Sequence, residues 1–206
     1  MTSPRAASPT ASSNTAAKPQ LILASESPRR LSLLAQSGIV PDAVKPAAID
    51  EAVLKSELPR AYVLRVASAK AQTVATAYPD ALVLAADTTV VAGRRFLHKA
   101  ESDDEVRAYL NQLSGRRHQC LTAVALVKEG NIRTRIVTTR VAFARLTAPE
   151  IESYVQCGEG RGKAGGYAIQ GRAETFVKSI NGSYSNVVGL PLYETVTLLR
   201  GNGYPC

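Results

Sequence analysis

Two adjacent guanidiniums, Arg29 and Arg30, follow a short apolar run that breaks into hydroxyls and a proline, Leu21-Ile22-Leu23-Ala24-Ser25-Glu26-Ser27-Pro28. Carried on the first turn of a helix, such side chains suit a polyphosphate. The exposed backbone N–H groups and the positive dipole end point where the arginines point. Asp87 closes the apolar run Ala81-Leu82-Val83-Leu84-Ala85-Ala86, read as a buried strand that ends there, where open α/β sheets place ligands and catalytic groups. A carboxylate at that place is costly unless it meets a cation, a metal or several donors. Its other reading is a cap on the next turn through Thr88 or Thr89. Glu51 closes Ile49-Asp50-Glu51. Alone it is a solvated loop acid. Paired in space with Asp87 it would complete a Mg²⁺ site, because that ion takes one or two carboxylates, several waters and phosphate oxygens.

Lys70 falls on the helical face that also carries Val63, Val66 and Val74, so it either snorkels or points into a cleft. Lys99 follows a hairpin pattern that would return toward Asp87. With Arg29 and Arg30 they make four cations, enough to neutralise a triphosphate. Gln170 lies in the glycine-rich segment 160–171. Glycines let the backbone approach a ligand, and an amide offers donor and acceptor to a base edge. A loop glutamine in a turn fits the same residues. No Gly-Lys-Ser/Thr follows these glycines, so the segment is not a Walker A loop. His98 and His118 lack zinc-ligand spacing. Cys120, Cys157 and Cys206 are scattered and odd in number, which suits a reduced, cytosolic setting.

The elements that must position these groups alternate between strand and helix patterns, an α/β arrangement. Residues 1–19 are Ser, Thr, Ala and Pro with few large apolar side chains and read as a disordered tail; the remainder is long enough for one large domain or two lobes sharing a core. Ser27-Pro28 starts a helix, with Ser27 as its cap, Leu31, Leu34 and Ala35 on its apolar face and Gly38 as its stop. A long helix follows Pro59. Ser102-Asp103-Asp104-Glu105 and Thr147-Ala148-Pro149-Glu150 are capping boxes. Strands are expected around 118–128 and 132–145 and over 175–180, with a last helix near 191–200. No window approaches a membrane span. The net charge of +8 implies an anionic partner. With aromatics at 5% and basic residues dispersed, a nucleoside triphosphate suits that charge better than long nucleic acid.

The ordered set Ser25-x-Ser27-Pro28-Arg29-Arg30, Ile49-Asp50-Glu51, Lys70, Ala86-Asp87-Thr88, Lys99, Leu113-Ser114-Gly115, Lys163 to Gly171 and Gly182 to Pro191 closely resembles the Maf family of nucleoside triphosphate pyrophosphatases. The resemblance implies a single domain over 20–206, with two lobes around a central cleft and a mixed sheet flanked by helices, similar to inosine triphosphate pyrophosphatases. It implies a cytoplasmic, homodimeric enzyme that depends on Mg²⁺ or Mn²⁺ and cleaves between the α and β phosphates. It places the catalytic aspartate on Asp87, and phosphate- and metal-binding positions on Ser25, Arg29, Arg30, Glu51, Lys70 and Lys99. Arg29, Thr88 and Gln170 match the dTTP/UTP-preferring branch rather than the 7-methyl-GTP branch. Two departures stand out: Glu26 adds a negative charge beside the phosphate loop, and His98-Lys99-Ala100 replaces Gly-Lys-Pro. A non-catalytic protein that senses nucleotides or regulates cell division is the alternative of a different class.

Overall fold

The computed structural model describes residues 18–206, so the tail expectation over 1–17 lies outside the described residues. Seven strands form one mixed sheet: β1 (Leu21–Leu23), β2 (Ala43–Val44), β3 (Leu82–Ala92), β4 (Arg95–Leu97), β5 (Arg117–Lys128), β6 (Asn131–Phe143) and β7 (Val177–Asn181). The order is β2-β1-β3-β5-β6-β7, with β4 pairing β3 off that path. β1 runs parallel to β2 and β3; the other pairings are antiparallel. Helices α1 (Pro28–Gln36), α2 (Pro59–Ala75), α3 (Asp103–Leu113), α4 (Ala148–Gln156), α5 (Tyr184–Val188) and α6 (Leu192–Arg200) complete the fold.

The pleat sends alternate side chains of the central strands to opposite faces. Ile22, Val83, Ala85, Ala123 and Ala125 pack with Val63, Val66, Ala67 and Ala71 of α2. Leu21, Leu23, Leu82, Leu84, Val124 and Leu126 pack on the other face with residues of α1, α3, α4 and α6. Parity therefore turns Asp87 toward α2 and Thr88 toward the opposite layer.

β3 differs from expectation in a way that shapes the site. It does not end at Asp87 but continues to Ala92, because Thr88, Thr89, Val90 and Val91 are β-branched residues suited to a strand. The neighbour is what ends. β1 pairs with Leu82, Val83 and Leu84, and β4 takes up the same edge of β3 at Val90, Val91 and Ala92. Residues 85–89 are left without a ladder partner on that edge, and Asp87 sits in the middle of the gap. No turn follows Asp87, so its reading as a turn cap is withdrawn.

Smaller corrections have local causes. Ser27 occupies the N-cap of α1 but makes no side-chain cap; its N–H instead donates to Ser25 Oγ at 3.2 Å. The buried face of α1 is Leu33 and Leu34, while Leu31 and Ala35 are exposed. Thr147 and Glu150 form the full capping box, whereas Ser102 caps Glu105 N without return, the Glu105 carboxylate accepting from Glu101 N. A 3₁₀ turn, Arg172–Phe176, occupies the start of the expected 175–180 strand. α5 has no counterpart in the sequence pattern, its five residues being too few to show a helical period.

Candidate active site

The gap in β3 opens into a cleft of about 460 Å³ that brings all the predicted site residues together: Ser25, Arg29, Arg30, Glu51, Lys70, Asp87, Thr88, Lys99 and Gln170 line it. Its two sides come from the two faces of the sheet.

On the α2 side, Lys70 is buried and reaches both acids. Its Nζ donates to Asp87 Oδ1 at 2.9 Å and pairs with Glu51 Oε1 at 2.8 Å. The awkward position of Lys70 on an apolar face is thus resolved: the side chain points into the cleft. Burial pushes the Asp87 carboxyl above the usual carboxylate range, against the opposing charges of Lys70 and Arg30. Burial also acts to raise Glu51, but the Lys70 hydrogen bond and the charges of Lys70, Lys99 and Arg30 outweigh it and hold that carboxyl below its ordinary value. The loop carrying Glu51 is clamped by Arg65, whose Nη2 donates to Ala52 O and Glu57 Oε2, each at 2.8 Å.

On the opposite side, Arg30 is held at three of its donors. Nε donates to Gly189 O at 2.8 Å, Nη1 to Ser25 Oγ at 3.0 Å and Nη2 to Thr88 Oγ1 at 3.3 Å. Arg29 Nε donates to Val188 O at 3.4 Å. Burial lowers the pKa of both guanidiniums; Arg29 adds to that effect on Arg30, while Asp87 and Glu51 oppose it.

The glycine-rich segment closes the far wall. Gly165 has φ of +74°, its N–H donates to Leu97 O at 3.0 Å, and a Cβ there would lie 2.9 Å from Val90 Cγ1, so only glycine lets the segment approach β3. Tyr167 is buried and its hydroxyl meets His118 Nε2 at 2.7 Å; Ala168 N donates to Tyr154 Oη at 3.0 Å. These anchors leave Gln170 exposed at the cleft. Lys99 is exposed there too, on a single bridge to Ala164.

Sequence reasoning missed Lys163 as a site cation. It is half-buried in the cleft wall, and burial together with the charge of Arg29 lowers its pKa. A lysine inside a glycine-rich segment was the available signal.

The acids fit a hard cation. Asp87 Oδ2 is buried without a hydrogen-bond partner among the described residues, and Glu51 stands at the same lysine. Two carboxylate donors with phosphate oxygens and water match Mg²⁺ or Mn²⁺ chemistry. Among the described residues no group of three or more His, Cys, Asp or Glu could hold a metal by itself.

A family model described as Maf-like protein matches residues 20–202. The chain belongs to the Maf-like family. Its relatives include a protein of Caulobacter vibrioides, 55% identical over 92% of this chain and 98% of its own length. A Rhodospirillum rubrum protein is 57% identical over 89% of this chain and 88% of its own. One from Sphingopyxis alaskensis is 55% identical over 91% and 98%. Each of the three is named dTTP/UTP pyrophosphatase. The Staphylococcus aureus Ham1 protein aligns in structure over 61% of this chain and 72% of its own, at 18% identity and a TM-score of 0.45. No helix of the described residues is long and apolar enough to cross a membrane.

Proposed function

We propose that this Maf-like protein is a nucleoside triphosphate pyrophosphatase that hydrolyses dTTP and UTP to the monophosphate and pyrophosphate. The observation that carries the reading is the meeting, in one cleft, of a buried aspartate having a free oxygen with cations from both faces of the sheet. The names of relatives covering nearly all of the chain support the substrate class.

Arg29, Arg30, Lys99 and Lys163 hold the phosphate chain, and Ser25 braces Arg30. The Asp87 carboxylate orients and deprotonates a water, whose oxygen bonds to the α phosphorus. The bond from that phosphorus to the bridging oxygen breaks, and its electron pair leaves with pyrophosphate. Catalysis of this kind is mostly positioning and charge stabilisation, so a site of Lys, Arg and carboxylate without a covalent nucleophile is sufficient. Lys70 opposes the effect of burial on Asp87 and helps hold Glu51 below its ordinary value. Asp87 and Glu51 would hold Mg²⁺ or Mn²⁺, which when bound neutralises phosphate oxygens. The family resemblance is what assigns selection of the nucleoside to Arg29, Thr88 and Gln170. The family resemblance is also what supports a homodimer working in the cytoplasm.

The test is a panel of common and modified triphosphates with direct detection of pyrophosphate and monophosphate. Equal amounts of dTMP and pyrophosphate from dTTP support the reading. Binding without release of either product would favour the nucleotide-sensing alternative.

A further inference from the structure

Arg29 and Arg30 stand near the start of the chain, yet the carbonyls that aim them come from residues 188 and 189, at the end of α5. A five-residue helix cannot hold its own position. Asn186 supplies the anchor. It is fully buried; its Nδ2 donates to Cys120 O on β5 at 3.1 Å and to Thr139 Oγ1 on β6 at 2.9 Å. Its backbone carbonyl accepts from Thr122 Oγ1 at 3.0 Å. Thr122 Oγ1 lies 2.9 Å from Thr88 Oγ1, the same hydroxyl that accepts from Arg30 Nη2. Asn186 therefore reaches Arg30 by two routes: along α5 to Gly189 O, and through Thr122 and Thr88. Gly189 suits this place through its backbone, whose φ of +130° side-chain-bearing residues rarely adopt.

We infer that Asn186 is a positioning residue for Arg30: it sets the direction of the guanidinium, and so the strength of the phosphate site, without lining the cleft itself. The consequence for binding rests on the pyrophosphatase reading; the effect on the arginine does not. Of the five N–H donors of a guanidinium, three are spent on Gly189, Ser25 and Thr88, leaving two in a fixed direction for an anion. Without the anchor the side chain regains rotamer freedom, and an anion must order it again on binding.

The experiment measures hydrogen exchange of arginine Nε–H groups in the full chain by NMR, with no nucleotide added. In Asn186→Ala the Arg30 Nε–H should exchange about ten-fold faster or more, while that of Arg65, bonded to Glu57, stays unchanged. Thr122→Val keeps the side-chain volume, removes one hydroxyl and should accelerate Arg30 about three-fold; it carries the test if the alanine variant does not fold. In a second arm, tripolyphosphate should bind Asn186→Ala about ten-fold more weakly, yet the same change in an Arg30→Ala background should cost under about two-fold. Unchanged Arg30 exchange would overturn the inference, as would equal acceleration of Arg65 or an equal binding loss in both backgrounds. A parent chain that releases no pyrophosphate would retire the enzymatic reading while leaving the exchange result to decide this one.

Discussion

Lys70 Nζ lies 2.9 Å from Asp87 Oδ1 with both side chains buried, and the same ammonium holds Glu51. A single lysine thus keeps two carboxylates together on the α2 side of the cleft. Removing it leaves a buried acid without its counter-charge, which costs about 3 kcal/mol or more. Lys70→Met should therefore lower unfolding stability by about that amount at neutral pH. Adding Asp87→Asn should restore much of it. Chemical denaturation of the two variants checks both parts; a single variant as stable as the parent contradicts the pairing.

Glu51 is the more accessible of the two acids and takes no part in the sheet. Glu51→Gln should keep the fold but raise the Mg²⁺ concentration needed for half-maximal turnover about ten-fold. Magnesium titrations of parent and variant at saturating dTTP measure this. An unchanged requirement removes Glu51 from the cation site.

Much of this site was legible before any coordinates, for reasons that differ by residue. Lys70 announced itself because a lysine is out of place among Val63, Val66 and Val74. Asp87 was marked by the uninterrupted apolar run before it. The cause of the cleft was not legible: it depends on where β1 stops relative to β3, and pairing register lies between segments rather than within one. α5 escaped for a related reason. Tyr184-Ser185-Asn186-Val187-Val188 is too short to show a helical period, and Asn186 has meaning only through β5 and β6. Ser27 fits the local rule for a cap, but its N–H is drawn to Ser25 Oγ.

Gln170 is held out at the cleft by the buried anchors on Tyr167 and Ala168. If its amide reads the base, Gln170→Glu replaces a donor with a negative charge. It should cut kcat/KM for dTTP and UTP by about ten-fold or more while leaving inhibition by tripolyphosphate unchanged. Equal loss of both would place Gln170 among the phosphate contacts instead.

His118 is 2% exposed, and burial lowers its pKa from 6.5 to about 4. The unfolded chain takes up a proton at this residue near pH 6.5 and the folded chain does so only near pH 4, so stability falls as pH drops through that window. The full effect is roughly 3 kcal/mol. His118→Gln, which can still bond Tyr167 Oη, should flatten the loss of melting temperature between about pH 6.5 and 4.5. An identical pH dependence in parent and variant would exclude His118 as its source.

Asp87→Asn is the most direct test of the central claim, because it keeps the shape of the residue in the β3 gap and removes its capacity to accept a proton. Parent and variant are incubated with dTTP and Mg²⁺, with dTMP and pyrophosphate quantified directly and folding checked by circular dichroism. The expected result is equimolar dTMP and pyrophosphate from the parent and turnover reduced at least ~100-fold in a folded variant. A folded Asp87→Asn protein that still releases both products at most of the parental rate contradicts it.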